Sequence, residues 1–189
     1  MVISRLAYLV LLAGLSTERL FELWLSKRNA QRALARGAIE VGRSQYRVMV
    51  AFHALFIVAC GIEATFCNRA FPEFLSLLAL IVEGVAQALR YWSIVTLGER
   101  WNTRVIVVPD TPPVTSGPYQ YIRHPNYLAV VLEVACEPLI RGLIITAAAF
   151  SALNAILLGC RIRLEEHALG DYYQRAFAGR SRFIPGLLR

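Results

Sequence analysis

The stretch YLAVVLEVACEPLIRGLIITAAAFSALNAILLG, residues 127–159, decides the fold because it stays apolar for much longer than one membrane crossing requires. A transmembrane helix needs about 20 mostly apolar residues. Pro138, Arg141 and Gly142 interrupt the run near its middle, where a proline and a glycine favour the end of one helix and a turn. The pattern predicts a tight hairpin of two short membrane-spanning helices.

Three stretches nearer the N-terminus are each long and apolar enough for one crossing, namely residues 3–25, 47–66 and 74–97. The chain as a whole is 57% hydrophobic and 17% charged, which is too apolar for a soluble domain of this size. Together with the hairpin, these stretches predict an all-α integral membrane protein with about five transmembrane helices.

The chain has no fixed repeat, low-complexity tract or flexible linker, which indicates one domain over residues 1–189. Residues 1–97 hold the three N-terminal spans, and residues 98–189 hold a loop, the hairpin and a cytosolic tail with a C-terminal helix. Residues 98–126 are rich in proline, glycine and aromatic residues, so they cannot form a continuous helix. We expect a structured loop there.

The charge distribution predicts the orientation. The net charge is +7, and the basic residues concentrate in residues 26–46, in residues 98–126 and in the tail from residue 160. The other connections contain only Arg69 and Arg141. Because basic loops remain in the cytosol, five crossings place the N-terminus outside and all three basic segments inside, as in a bacterial inner-membrane protein. Membrane lipids, rather than nucleic acid, are the expected partner of this charge.

Ionisable residues inside spans are costly and tend to mark functional sites. Glu83 and Arg90 lie seven residues apart in the third span, and Glu133 and Glu137 lie four apart in the fourth. Each pair therefore shares one helix face. This spacing allows all four side chains to point into the bundle.

Other polar residues have simpler interpretations. Glu63 is near the outer end of its span, and we expect it to extend toward the membrane surface. His53 is isolated on an apolar face and is expected to be a hydrogen-bonded interior residue. Glu18, Arg19 and Glu22 are interpreted as a salt-bridge set near the cytosolic end of the first span. The cysteines show no metal-ligand spacing, so we expect no metal site.

The densest polar group consists of TSGPY, residues 115–119, and RHPNY, residues 123–127. Pro125 suits the first turn of the next helix, where unpaired backbone N–H groups can receive the polar end of a ligand. A turn at residues 117–118 would bring Tyr119 back beside this helix start. The alternative is an interfacial anchor of arginine and tyrosine at headgroup depth.

A second group, Arg161, Arg163, Glu165 and Glu166, follows the hairpin. Arg161 and Glu165 share a helix face, where they can pair with each other. Because they would lie at the same level as the loop with His124, the two groups can also close a polar pocket that opens toward lipid.

In this order the elements resemble the isoprenylcysteine carboxyl methyltransferase family over about the last hundred residues. The matching elements are Ala88-Leu89-Arg90, TSGPY, RHPNY, Arg161 with Glu165-Glu166 and Leu169, and Arg182-Phe183-Ile184-Pro185. The front of the chain is similar to a small bacterial branch associated with methylation of long-chain alkylpyrones and alkylresorcinols. The tail is shorter than in the prenylcysteine enzymes.

The resemblance implies S-adenosylmethionine as cofactor and a lipophilic small molecule as methyl acceptor. It implies that Glu165 contacts the cofactor and that Arg161 faces the acceptor. The residues that it places around the cofactor are Val114, Tyr119, His124, Pro125, Asn126, Tyr127 and Glu165.

The expected activity is O-methyl transfer at the cytosolic membrane face. A carboxylate or an enolic pyrone hydroxyl needs no base, whereas a resorcinol hydroxyl would need help from His124 or His167. The alternatives are phospholipid N-methylation and a non-catalytic membrane scaffold. The sequence leaves open the acceptor, the oligomeric state, and whether residues 170–189 cover the site or lie on the membrane surface.

Overall fold

The computed structural model describes residues 3–67, 70–109 and 111–185. These residues form five α-helices: α1 (Arg5–Ala35), α2 (Arg43–Phe66), α3 (Glu73–Leu97), α4 (Pro125–Leu139) and α5 (Ile144–Ala176). Two short strands, β1 (Ile39–Val41) and β2 (Val105–Val107), pair antiparallel. The loop after α3 also contains the 3-10 turns Gly98–Arg100 and Gly117–Gln120. The predicted all-α fold with five helices is confirmed, and the small sheet that joins two loops was not anticipated.

Within the described ranges, three helices are long and apolar enough to cross a membrane, namely α2, α3 with its extension to Arg100, and α5. The apolar face of α1 is interrupted by Glu18, Arg19 and Glu22. Helix α4 has 15 residues, or about 22 Å, less than the hydrocarbon core of about 30 Å. The two remaining helices therefore complete the bundle around three full-length spans. Arg69, one of the two basic residues used to predict the orientation that lie outside the three basic segments, is not among the described residues.

The predicted hairpin of α4 and α5 is present. Helix α4 ends just after Pro138, and Gly142 turns the chain with a positive φ of 76°. A side chain at that position would collide with Phe71, which explains the glycine. Helix α5 continues for 33 residues with a non-helical break at Gly170. The prediction of two short helices is therefore wrong for α5. The polar residues that follow its apolar half continue the helix and face the loop.

Glu63 closes the start of α5 and is 7% exposed. Its carboxylate accepts hydrogen bonds from the backbone N–H of Ile145 at 3.3 Å and from the N–H and hydroxyl of Thr146 at 2.8 and 2.6 Å. The prediction that Glu63 extends toward the membrane surface was wrong. The unpaired N–H groups of the first helical turn hold the carboxylate inside the protein instead.

A buried ionic network joins α1, α3 and α4. Arg90 donates from Nε to Glu133 at 2.7 Å and makes a second hydrogen bond to the same carboxylate. Glu22 accepts from Arg19 at 2.8 Å and from Arg90 at 3.4 Å. The predicted salt bridges of Arg19 with Glu18 and Glu22 are present, but their predicted position at a helix end was wrong, because α1 continues to Ala35. All four residues expected to point into the bundle are buried: Glu83, Arg90, Glu133 and Glu137.

The apolar core lies between the helices at the end of the bundle where α4 turns into α5. It includes Tyr8 from α1, Phe56 and Cys60 from α2, Val134 from α4 and Leu143 from the turn. Aromatic and aliphatic side chains fill this end closely. Both cavities described below lie toward the opposite end, which we call the loop end because it carries residues 98–124.

Candidate active site

Two polar side chains of α1 hold the loop that follows α3. Ser26 Oγ lies 2.7 Å from Asn102 Oδ1 and accepts a hydrogen bond from the backbone N–H of Thr103 at 3.0 Å. Asn29 donates from Nδ2 to the carbonyl oxygen of Trp101 at 2.9 Å. Ser26 and Asn29 are 1% and 2% exposed. Because these bonds are buried, they fix residues 101–103 against α1.

The TSGPY segment folds back onto the end of α3. Gly117 has a φ of 56°, and a side chain there would collide with Thr96. The following turn buries Tyr119. Burial raises the pKa of the Tyr119 phenol, and the negative charge of Glu165 acts in the same direction. Tyr119 is therefore a neutral hydrogen-bonding group at physiological pH.

RHPNY forms the start of α4. His124 occupies the N-cap position without capping the helix through its side chain, and Pro125 takes the first helical position. The N–H groups of Asn126 and Tyr127 belong to the first turn, which has no intrahelical acceptors for them. They carry the partial positive charge of the helix start, which favours an anionic group.

The tail after α5 packs against this helix start. Glu166 accepts from both Arg182 nitrogens, Nε at 3.1 Å and Nη2 at 2.5 Å, and lies 3.1 Å from His124 Nε2. The backbone N–H of His124 donates to the carbonyl of Arg182 at 3.1 Å. The sequence left the position of residues 170–189 open. In the structure, residues 177–185 pack on the loop, and residues 186–189 lie outside the described residues.

A cavity of about 460 Å³ opens at the loop end, and we call it the loop cavity. It lies between the structured loop, the start of α4 and the second half of α5. Its size is within the usual range for small-molecule sites. Its lining includes Trp101, Asn102, Val114, Tyr119, His124, Asn126, Tyr127, Glu165, Tyr173 and Phe177.

A second cavity, of about 490 Å³, lies between the helices, and we call it the inter-helix cavity. All five helices contribute to its walls, which are mostly apolar. Its lining includes Leu20, Glu22, Leu23, Met49, Val50, His53, Ile57, Arg90, Val130, Leu158 and Arg161. The two cavities share Trp101, Asn102, Asn126 and Tyr127, so these residues form a common wall.

Tyr127 links the two cavities chemically. Its hydroxyl donates to Glu165, on the loop cavity, and accepts from Nε of Arg161, on the inter-helix cavity, at 3.2 Å. Arg161 is 3% exposed and donates from Nη2 to the carbonyl of Thr103 at 2.7 Å. Its Nη1 has no hydrogen-bond partner among the described residues. The free donor is therefore available to a ligand of the inter-helix cavity.

The structure places the residues that the sequence singled out in three groups. Pro125 is buried at the start of α4 and does not line the loop cavity, Arg161 lines the inter-helix cavity, and His167 is exposed and lines neither. The geometry therefore does not support His167 as a helper in catalysis. Six lie together on the loop cavity: Val114, Tyr119, His124, Asn126, Tyr127 and Glu165.

Sequence reasoning missed Trp101, which is 1% exposed and belongs to the common wall. It also missed Tyr173 and Phe177, whose rings pack 4.6 Å apart beside Tyr119. Tyr173 and Phe177 are four residues apart in the sequence and follow Glu165 and Glu166. This spacing could have predicted an aromatic face on a helix that continues past the two glutamates. Trp101 had no such signal, because its role depends on how the loop folds.

Comparison with known sequences identifies the family of the chain. The sequence model of the isoprenylcysteine carboxyl methyltransferase family matches residues 77–171, half of the chain. The chain belongs to the isoprenylcysteine carboxyl methyltransferase family. The predicted resemblance is thereby confirmed, and with the apolar helices it identifies an integral membrane protein of a methyltransferase family. The matched region contains Arg161, Glu165 and the whole common wall, but not α1, most of the tail or His53.

Two relatives extend the similarity over the front of the chain. The "Uncharacterized protein YpbQ" of Bacillus subtilis (strain 168) is 37% identical over 163 residues, covering 86% of this chain and 96% of the relative. An "Uncharacterized protein" of Haemophilus influenzae (strain ATCC 51907 / DSM 11121 / KW20 / Rd) is 28% identical over 159 residues, covering 84% and 92%. The similarity thus includes helices that build the inter-helix cavity.

Proposed function

We propose that this protein is an S-adenosylmethionine-dependent O-methyltransferase that acts on a lipophilic small molecule. One observation carries the proposal: a cavity at the loop end and a second, less polar cavity between the helices share one wall. A polar cofactor and an apolar acceptor need different surroundings but must meet at the reacting atoms. The Tyr127 hydroxyl, bonded to both Glu165 and Arg161, marks the meeting point.

The groups around the loop cavity fit the cofactor. S-adenosylmethionine carries a sulfonium, an ammonium and a carboxylate, and Glu165 is a suitable partner for a cationic group. The N–H groups at the start of α4 suit the carboxylate. Asn126 Oδ1 and Trp101 Nε1 are buried without hydrogen-bond partners in the described part of the chain, so each can bond a ligand. Tyr119, Tyr173 and Phe177 offer aromatic surface for the adenine.

The inter-helix cavity suits an amphiphile with an acidic oxygen. Its aliphatic walls can bury an alkyl or prenyl chain, and Arg161 Nη1 offers an unpaired donor beside Tyr127. A guanidinium binds an anionic oxygen well and a neutral amine poorly. We therefore propose a carboxylate or an acidic enol, as in alkylpyrones, as the reacting group.

The cofactor, when bound, supplies an electrophilic methyl group. The chain's own residues would align the partners, which can account for several kcal/mol of barrier reduction, about 7–11 in favourable cases. Arg161 would orient the acceptor oxygen, while Glu165 would hold the cofactor at the other side of Tyr127. The bundle would exclude water from the contact, so the anionic acceptor would lose its hydration on entry.

We propose a bacterial inner-membrane location with the N-terminus outside and the loop end in the cytosol. The concentration of arginine at the loop end supports this orientation, and both relatives described above come from bacteria. In this arrangement the acceptor would enter from the bilayer and the cofactor from the cytosol.

Phospholipid N-methylation remains a second candidate, because a helix start that suits the cofactor's carboxylate is equally useful to such an enzyme. Arg161 argues against it, since a buried guanidinium disfavours the positive charge that an amine nitrogen gains when it is methylated. A non-catalytic scaffold would not need the unpaired polar groups at the common wall.

Methyl transfer from labelled S-adenosylmethionine tests the proposal directly. The purified protein in liposomes would be offered a long-chain alkylpyrone, a farnesylated cysteine analogue and phosphatidylethanolamine in parallel. We expect label on the pyrone or the prenylcysteine, and loss of that label in His124→Ala. Label on the phospholipid would support the second candidate, and cofactor binding without transfer to any acceptor would support a scaffold.

A further inference from the structure

The inter-helix cavity is lined by two polar side chains that the proposed chemistry does not use, Glu22 of α1 and His53 of α2. Both lie deeper in the bundle than Arg161. Glu22 is one turn before Ser26, which contacts the segment that holds Arg161, and His53 is two turns past Tyr46 at the loop end of α2. An acceptor that reaches Arg161 through this cavity would therefore pass both.

Glu22 has an unused oxygen. Its side chain is 5% exposed, and both of its arginine contacts go to Oε2, from Arg19 at 2.8 Å and from Arg90 at 3.4 Å. Oε1 has no hydrogen-bond partner in the described part of the chain. A buried carboxylate oxygen without a donor is costly, which indicates that a ligand supplies the donor.

His53 adds a second acceptor. Its Nδ1 lies 2.8 Å from the carbonyl oxygen of Met49. A carbonyl can only accept, so Nδ1 must carry the hydrogen, and in the neutral ring Nε2 is then a bare acceptor. The ring lines the cavity. Both residues therefore present acceptors to whatever occupies the cavity.

We infer that Glu22 and His53 form a second polar subsite that receives a hydrogen-bond donor, such as a neutral hydroxyl, of the methyl acceptor. This inference rests on the proposed function and narrows its substrate class. The acceptor is an amphiphile with two oxygen functions, one at Arg161 that receives the methyl group and one O–H group facing Glu22 and His53. A molecule with a single oxygen function leaves the Glu22 Oε1 atom unpaired and binds less well.

Two probes that differ by one hydroxyl test the inference, a long-chain alkylresorcinol and the alkylphenol with the same chain. The chain has 3 histidines, so nitrogen NMR of protein with labelled histidine in micelles is simple to assign. The His53 signals are those lost in His53→Gln. We expect a protonated Nδ1 and a bare Nε2 in the free protein, and a shift of the Nε2 signal on addition of the resorcinol but not of the phenol.

Affinities give a second readout. In His53→Phe, which keeps a ring but removes the acceptor, the preference for the resorcinol over the phenol should fall about tenfold. His53→Gln keeps an acceptor and should retain part of the preference. The matched control, Ile57→Ala, trims the apolar wall of the same cavity and should weaken both probes equally.

Three results would overturn the inference: a protonated Nε2 in the free protein, equal responses of His53 to both probes, or failure of both probes to bind. The proposed function is judged separately, by methyl transfer to the long-chain alkylpyrone and the farnesylated cysteine analogue, which carry the acidic oxygen that the two probes lack. Transfer to either acceptor without a selective His53 response to the probes would reject the subsite and keep the methyltransferase. A selective His53 response with no transfer to any acceptor would do the reverse.

Discussion

The two cavities of this protein differ in how the chain builds them. Most of the lining of the loop cavity comes from residues 97–127, and the rest comes from α1, the second half of α5 and Phe177, so the lining is largely clustered in sequence. The inter-helix cavity takes residues from all five helices, from Ser16 to Arg161. Residues of the loop cavity can therefore be recognised as motifs in the sequence. The inter-helix cavity exists only after the bundle has assembled, and its polar residues are dispersed along the chain.

The cavities also differ in what holds their walls. Hydrogen bonds of the buried neutral residues Ser26 and Asn29, together with exposed salt bridges from α1 to Glu99, fix the loop cavity to α1. Charge pairs between Arg90, Glu133 and Glu22 hold the inner wall of the inter-helix cavity. If each cavity binds one reactant, changes on the two sides of Tyr127 should have separable effects.

The largest expected effect is a double dissociation between Arg161 and Glu165. Arg161→Lys keeps the charge but loses the planar donor set, so methyl transfer should fall at least about thirtyfold while S-adenosylmethionine affinity changes less than about threefold. Glu165→Gln should weaken cofactor binding at least about thirtyfold, because it removes the negative charge that Glu165 contributes to the loop cavity. Equilibrium dialysis and initial-rate assays in detergent measure the two quantities. Equal loss of cofactor affinity in both variants would show that the cavities are one site.

A smaller effect is expected at the hydroxyl that joins the cavities. Tyr127→Phe removes hydrogen bonds to Glu165 and Arg161 together, both of them to charged groups. Each bond contributes about 1.5–3 kcal/mol. We expect roughly tenfold losses in both cofactor affinity and turnover. A change in only one of the two would mean that the hydroxyl serves a single cavity.

The smallest effect concerns the support behind the common wall. Ser26→Ala leaves the Thr103 N–H without its acceptor, which should lower the free energy of unfolding by about 1 kcal/mol. Because the carbonyl of Thr103 accepts from Arg161, a shift of this segment should also misplace Arg161 and lower turnover about fivefold. Thr17→Ala is the matched control, because its hydroxyl is exposed and bonds only to the carbonyl of Ala13 in the same helix. Turnover and thermal unfolding measured together separate the roles. Equal turnover of the two variants would remove Ser26 from the support.

The sequence predicted those features that depend on neighbouring residues. Pro138 and Gly142 located the hairpin turn, and RHPNY located the start of α4. Features that depend on distant partners were missed or misread. Glu63 looked like a residue at the membrane surface because its partner, Thr146, is 83 residues away. The Glu22 group looked like a helix end because the polar residues that follow it were taken for a loop.

The length of α5 was misjudged for a related reason. Arg161 and Glu165 look like the end of a membrane span in a hydropathy pattern, but each bonds to Tyr127 and lines a cavity. Hydropathy cannot distinguish a charge that leaves the membrane from one that lines a polar cavity. The same ambiguity concealed the role of His53, whose lone position on an apolar face predicted burial but not a cavity.

Simultaneous binding tests the central claim, that two reactants occupy two adjoining cavities. Labelled S-adenosylhomocysteine, which carries no transferable methyl group, would be titrated onto the purified protein with and without a saturating long-chain alkylpyrone. We expect both ligands to bind together, with cofactor affinity unchanged or increased. Displacement of one ligand by the other, with a competitive dependence on concentration, would show a single shared site and contradict this claim.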